Sequence, residues 1–391
     1  MNAASRTYLD HNATSALRPD ARDAMLAALE HAGNASSVHA EGRAARALIE
    51  RAREEVAALV GGQARNVVFT SGGTEANVLA LTPGLEACGD KRPLDRLLTS
   101  AVEHPSVLDG ARFPADRVER LPVDGDGVLD LDALSARLAV LAKAGERALV
   151  SVQAANNETG VLQPIAAIAG LVHDHGGLLH CDAVQAAGRT DFAMASGADL
   201  VTLSAHKIGG PQGVGALVLS PAVTIADRVL RGGGQERGAR AGTENVAGIA
   251  GFGAAASCAR EGRAEEAARL AALRDVFEAG LRAVAPDIDV FGARVGRLPN
   301  TTLFAMPEGT AETALIAFDL AGVAVSSGAA CSSGKVRASH VLLAMGVPRE
   351  RAAAAIRVSL GWTTTRNHIE NCLEVFEKTV GALRNRRGRA A

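Results

Sequence analysis

Three stretches of this chain set reactive side chains directly after apolar runs. In FTSGGTEAN (69–77) an apolar run gives way to small residues and then to a helix start. Backbone N–H groups at a helix N-terminus, joined by the hydroxyls of Ser71 and Thr74, suit a phosphate. A plain turn with Thr74 as N-cap uses the same residues. The Lys that a nucleotide-binding P-loop requires is missing. In HCDAVQAAG (180–188) Asp182 ends an apolar run with no cation beside it in sequence. It either caps a following helix or is a buried anion that pairs with a protonated heterocyclic nitrogen. In LSAHKIGGPQGVG (203–215) Lys207 lies between His206 and a glycine loop. A lysine partly withdrawn from water at a strand end is suited to act as a Schiff-base nucleophile. On neighbouring strands, Asp182 and Lys207 would face one crevice at the carboxyl edge of a sheet. Phosphate cradle, carboxylate and lysine in this order describe a pyridoxal phosphate site, although no single piece does.

A fourth stretch, VSSGAACSSGKV (325–336), surrounds Cys331 with Ser, Gly and Ala. That setting predicts an exposed loop thiol fit for nucleophilic attack. Cys88, Cys181, Cys258 and Cys372 read instead as small core hydrophobes. The five cysteines form no CxxC pair, so a reducing compartment is expected rather than a disulfide scaffold. His173, Asp174, His175, His180, Cys181 and Asp182 raise a zinc alternative. The first three read as the end of a helix, and His180 and Cys181 point to opposite faces of one strand, so no metal site is expected.

The elements that must position these groups alternate from about residue 20 to 220. Pro19 opens a first helix. Leu48, Ala52, Val56 and Leu59 repeat at helical spacing in a second, which a Gly pair ends. Segments 66–70, 96–100, 147–152, 177–182, 199–204 and 214–219 read as strands, several apolar throughout as in sheets covered on both faces. A mostly parallel α/β sheet follows. Beyond 220, helical stretches at 244–285 and 365–384 flank the short strands of RLPNTTLF and VAVSSG, predicting a smaller α+β domain. The extended segment before residue 15 is expected to pack with it.

Composition narrows the partners. The chain has 391 residues, 48% of them apolar and 3% aromatic, so its core must be built from aliphatic and Ala side chains. Trp362 and Tyr8 cannot form a base-stacking platform, and 41 basic against 43 acidic residues give no global attraction to nucleic acid or to an anionic membrane. The basic run Arg384, Arg386, Arg387 and Arg389 reads as a solvated terminus. The longest uncharged stretch, Ala247 to Ala259, falls short of the ~20 residues a membrane-spanning helix needs. With no signal-peptide pattern, a soluble cytoplasmic protein is expected.

These residues resemble the cysteine desulfurases of the NifS/IscS type, in the class-V branch of fold-type I pyridoxal phosphate enzymes. The resemblance runs from YLDHNATS (8–15) to IRVSLGWTTT (356–365). FTSGGTEAN, VEHPSVL, NNETG, CDAVQAAG, SAHKIGGPQGVG, GGGQERGARAGTEN, RLPNTT and SSGAACSSG stand between in family order. It implies a large domain over 15–260, with a mostly parallel seven-stranded sheet between helices. A small domain would combine 1–14 with 261–391 and carry the cysteine loop. It also implies pyridoxal 5'-phosphate bound as a Schiff base to Lys207, with Asp182 on the pyridine nitrogen, His104 stacked on the ring and Gln185 on the ring hydroxyl. Thr74 with the Gly73 backbone, Ser204 and His206 would bind the phosphate, and Thr243 would reach the same group from the partner subunit of a homodimer. Asn157, at the cofactor, and Arg357 would hold the substrate carboxylate, and Cys331 would take up the sulfur of L-cysteine as a persulfide for an iron–sulfur scaffold or other sulfur acceptor. At most, Cys331 would ligate a cluster transiently with a partner.

Two departures stand out. Ala35 replaces the proline of the family's Gly-Asn-Pro-Ser-Ser, and Ala329, Ala330, Cys331, Ser332 and Ser333 replace Ser-Ala-Cys-Thr-Ser. Both leave the chemistry in place, and the second bears on the choice of acceptor. Alternative readings on the same scaffold are a selenocysteine lyase and a class-V aminotransferase; an inactive iron–sulfur assembly scaffold is a non-enzymatic one.

Overall fold

The computed structural model describes residues 6–87, 90–328 and 338–390. Strand β1 (Thr7–Tyr8) leads through helices α1 (Pro19–Leu29) and α2 (Ala40–Leu59) to β2 (Val67–Thr70) and α3 (Gly73–Ala80). There follow β3 (Leu85–Ala87), β4 (Arg96–Ser100), α4 (Pro105–Leu108), β5 (Val118–Leu121), α5 (Leu131–Lys143), β6 (Ala148–Gln153), α6 (Ile165–Asp174), β7 (Leu178–Asp182), β8 (Leu200–Ser204), β9 (Gly215–Leu219) and β10 (Val223–Ile225). The order β2-β9-β8-β7-β6-β4-β5 makes a seven-stranded sheet. Only β9 runs against its neighbours, because the short glycine-rich connection after β8 turns the chain straight back. Three of these strands, β3, β5 and β10, escape the periodicity of the sequence. β5 (VERL) is an edge strand, half exposed and carrying charge, and β3 pairs with β10 in a separate short ladder.

Strands buried on both faces need cover on both sides. One face packs on α2, α6 and α7 (Val246–Glu261), the other on α3. The buried stripe of α2 is Ala45, Ile49, Ala52, Val56 and Leu59, with Leu48 half-buried at its rim. The helix cover is rich in Ala, as the scarcity of aromatics requires; Ala255, Ala256 and Ala259 of α7 are buried against it.

The predicted helix over 244–285 is two helices. Gly262 ends α7 and starts α8 (Arg263–Val284), and the two helices bury side chains in different places: α7 in the core of the large sheet, α8 in a second core. That second core also receives β11 (Thr301–Ala305), α9 (Ala311–Leu320), β12 (Val323–Ala324), β14 (Ala355–Ser359) and α12 (Arg366–Ala390), along with Leu9. The short β13 (Ser326–Ser327), α10 (His340–Ala344) and α11 (Arg349–Ala353) complete the chain. β1 pairs in parallel with β12, and Asp10 bridges to Ser359. Among the described residues no helix is long and apolar enough to cross a membrane.

Candidate active site

The carboxyl ends of β7 and β8, neighbours in parallel register, open on a cavity of about 310 Å³. Lys207 stands one turn beyond β8, half-buried, and its Nζ donates to the carbonyls of Asn12 (2.6 Å) and Ala13 (2.9 Å). Asp182 ends β7 with 8% exposure. No helix follows it: its Oδ1 accepts from the Val184 N–H (3.0 Å), so it caps a turn, and its Oδ2 accepts from Asn77 Nδ2 (2.9 Å).

The same Asn77 amide donates to Ser106 Oγ (2.9 Å), and that hydroxyl lies 2.8 Å from His104 Nδ1. His104 is the N-cap of α4, its Nδ1 accepting from the Ser106 N–H (3.2 Å). With Nδ1 occupied as an acceptor, the ring proton belongs on Nε2. Burial holds His104 below the ordinary histidine range, assisted by the Lys207 charge and opposed by Asp182. The ring is therefore neutral near pH 7.

Gly73, Thr74, Ser204 and His206 border the adjoining opening. The N-cap of α3 is Gly72, not Thr74, and no side chain caps it, so Thr74 belongs to the first helical turn. A Cβ at Gly73 would lie 3.2 Å from Val184 Cγ2 and 3.4 Å from Ser204 Cβ, filling the floor of this cradle. His206 contacts Thr14 Oγ1 through Nδ1 (3.1 Å), and burial, with the charges of Lys207 and Arg189, pushes it down to about 4. The uncapped helix start, two hydroxyls, a neutral imidazole, the amine and the buried carboxylate fit the phosphate, aldehyde and pyridine nitrogen of pyridoxal 5'-phosphate.

Arg357 enters the cavity from β14, 3% exposed. It donates to the carbonyl of Asn157 (3.0 Å) and to Asp10 Oδ1 (2.9 Å), while its buried Nε–H has no partner among the described residues. Asn157 and Gln185 also line the cavity. Gln185 Nε2 is engaged by the Asn12 carbonyl (3.0 Å). Thr243 is exposed and borders neither opening of its own chain. Cys331 and Cys88 lie outside the described residues; Gly328, on the cavity wall, is the last one before the cysteine segment. Of the cysteines read as core, Cys181 and Cys372 are buried but Cys258 is only partly so.

Several members of the site escaped the reading of the sequence. Asn12 and Asp10 act from the N-terminal segment, Asn77 and Ser106 through a tertiary network, and Arg189 through the carbonyl of Lys207 (2.8 Å). All but Arg189 were signalled only by their place inside the quoted motifs, and Arg189 by none. The histidines of the zinc alternative are engaged elsewhere: His173 with Asp199 (2.8 Å), His175 with the Leu171 carbonyl (2.8 Å), His180 with Ser151 (2.8 Å) and Thr202 (3.0 Å).

The family model described as aminotransferase class-V matches residues 7–372. A Cereibacter sphaeroides protein named cysteine desulfurase is 45% identical over 97% of each chain. Another of that name, from Sinorhizobium fredii, is 40% identical over 97% of this chain and 98% of its own. A solved NifS-like protein from Rickettsia africae superposes with a TM-score of 0.85 at 37% identity, covering 96% of this chain and 99% of its own.

Proposed function

The chain belongs to the class-V aminotransferase family and is a cysteine desulfurase dependent on pyridoxal 5'-phosphate, and we propose that Lys207, His104 and Cys331 divide its chemistry between them. The observation that carries this assignment is the meeting of Lys207, Asp182, His104 and Arg357 on one cavity, although they come from four separate strand ends and strands.

When bound, the cofactor supplies an electron sink for charge developing at the substrate's α-carbon. Lys207 would hold its aldehyde carbon and Asp182 its pyridine nitrogen. Gly73, Thr74, Ser204 and His206 would hold its phosphate, and Gln185, Asn157 and His104 would hold its ring. Arg357 takes the carboxylate of L-cysteine through paired N–H donors. The Lys207 amine removes the α-proton, and neutral His104, with a proton on Nε2, serves as the acid. The Cys331 thiolate attacks the substrate sulfur. One S–S bond forms, the substrate's C–S bond breaks with its electron pair returning to carbon, and protonation of that carbon yields L-alanine. The persulfide on Cys331 then passes to a sulfur acceptor, such as an iron–sulfur scaffold protein.

Two further parts belong to this reading. The exposed Thr243 completes the phosphate site of a second subunit in a homodimer. The chain divides near Gly262 into a large cofactor-binding unit and a small unit, the latter including the N-terminal segment.

Mass spectrometry of the purified holoenzyme after addition of L-cysteine tests the assignment. A gain of one sulfur atom confined to the Cys331 peptide is expected. Cys331→Ala should keep the visible absorbance of the lysine-bound cofactor and lose alanine production, whereas Lys207→Ala should lose both. Normal desulfuration by Cys331→Ala would overturn the role of that thiol.

A further inference from the structure

Glu158 is a buried carboxyl that no step above uses. It is 3% exposed and belongs to a turn in which Asn156 Oδ1 accepts from the N–H groups of Glu158 (2.8 Å) and Thr159 (2.9 Å). The backbone of that turn faces the substrate side: the Asn157 carbonyl accepts from Arg357 Nη1 (3.0 Å) and from Asn12 Nδ2 (3.1 Å).

The Glu158 side chain makes a different set of contacts. Its Oε2 accepts from the hydroxyl of Ser339, whose Oγ in turn accepts from the Leu342 N–H (3.1 Å) and so caps α10. On the other side, a Cβ built on Gly328 would stand 2.6 Å from the same Oε2 and 3.3 Å from Ser339 Cβ. Gly328 and Ser339 flank the segment that carries Cys331 in sequence. One carboxyl thus touches the chain on both sides of that segment, and its own turn touches the arginine assigned to the substrate carboxylate. Burial raises Glu158 to about 7, against the Ser339 bond and the Arg357 charge. Keeping a carboxyl there costs stability that an apolar side chain would not cost, a cost that a purely structural role leaves unexplained.

We propose that Glu158 is a positioning residue for sulfur transfer, holding Gly328 and Ser339, which flank Cys331 in sequence, to each other and to the turn that contacts Arg357. The proposal rests on Cys331 being the nucleophile. It asks of Glu158 a hydrogen-bond acceptor that reaches both Ser339 and Gly328, which glutamine supplies and alanine does not.

The test uses the full-length holoenzyme with Glu158→Ala, Glu158→Gln and Ser339→Ala. Cofactor absorbance, KM for L-cysteine and the single-turnover rate of sulfur appearance on Cys331 are read for each. Misplacing a reacting group by an ångström can lower a rate by about a hundredfold, so Glu158→Ala should slow sulfur appearance about tenfold or more. Cofactor absorbance should persist and KM should stay within about twofold over the same comparison. Glu158→Gln should restore most of the rate, and Ser339→Ala should fall between. A normal rate in Glu158→Ala, or a loss of cofactor and a rise in KM as large as the loss of rate, overturns the proposal. If Glu158→Ala does not fold, a normal rate in Ser339→Ala overturns it instead. Full activity of Cys331→Ala would overturn the underlying assignment, and is distinguishable because sulfur would then appear on Cys331 in none of the proteins, the unsubstituted chain included.

Discussion

Arg357 shows how much a single side chain in this site depends on its neighbours. A guanidinium that is 3% exposed is tolerable because Asp10 pairs with one terminal nitrogen and the Asn157 carbonyl with the other. Those contacts fix the plane of the group and leave its Nε–H without a partner among the described residues, an arrangement ready for a second carboxylate. A lysine ammonium is a compact point charge without the planar fork that meets a carboxylate through two parallel bonds. Arg357→Lys should therefore raise KM for L-cysteine by about tenfold to a hundredfold, from a loss of about 1.5–3 kcal/mol for a hydrogen bond to a charged group, and change kcat less. Steady-state alanine production measures both. His104 makes a second case. The Ser106 hydroxyl, fixed as acceptor of the Asn77 amide, has its proton free for Nδ1, and a donor on that nitrogen stabilises the neutral ring. Its titration should lie below pH 6.5, and Ser106→Ala should move it upward, because the neutral form loses support. NMR titration of ring-labelled histidines, assigned with His104→Gln, reads the shift; a downward move would contradict the network.

At the scale of elements, the turn at 235–238 has the least favourable backbone. Glu236 and Arg237 hold φ of +48° and +54°, the left-handed region that costs side-chain-bearing residues about 1–2 kcal/mol each. The turn is held because Glu236 pairs with Arg53 of α2 through two hydrogen bonds (2.6 and 3.0 Å) and accepts the Phe69 N–H of β2 (2.9 Å). Arg53→Ala would leave that carboxylate buried without its countercharge, so it should destabilise the protein by about 3–5 kcal/mol, read from urea unfolding. Arg53→Met with Glu236→Gln should recover part of the loss. None of this is visible in GGGQERGARAGTEN, where the glycines suggest a loop and the charged pair suggests solvent. The same division holds elsewhere. β2, β4 and β6 to β9 were legible because burial on both faces makes them largely apolar, whereas edge strand β5 spends its side chains on Arg137–Glu119 pairing and carries no such mark. Lys207 and Asp182 were legible because a charge at the end of an apolar strand violates the local pattern. Asn77, Ser106 and Asn12 break no local rule, and only tertiary contact gives them a task. The helix break at Gly262 was hidden for the same reason: one glycine inside a helical period is common, and what divides α7 from α8 is that each faces a different core.

Across the whole molecule, residues 7–15 tie the two cores together. β1 joins β12 and Asp10 bridges Ser359, while the side chain of Asn12 donates to Thr301 Oγ1 (2.9 Å) and accepts from Asn300 (3.1 Å) and Arg189 (2.9 Å). The Asn12 carbonyl meanwhile holds both Lys207 and Gln185. The reactive amine is thus oriented by a strand end on one side and by a segment anchored in the other core on the opposite side. Asn12→Ala keeps the carbonyl but strips its side-chain anchors, leaving one N–H of the buried Asn300 amide unpaired at a cost of about 1–3 kcal/mol, while Arg189 keeps Gln185 Oε1. It should also weaken cofactor binding, seen as a smaller gain in Tm between cofactor-free and cofactor-loaded protein than the unsubstituted chain shows. The proposed homodimer follows the same logic of shared construction. Thr243 is exposed and does not line its own cavity, so a homodimer that uses it must build each site from two subunits. Lys207→Ala and Thr243→Ala proteins should each desulfurate poorly alone. Mixed dimers contain one site with Lys207 from one subunit and Thr243 from the other, so refolding the two together should restore activity that neither homodimer has. No recovery, in mixtures shown by mass spectrometry to contain the heterodimer, would mean that Thr243 serves no partner site.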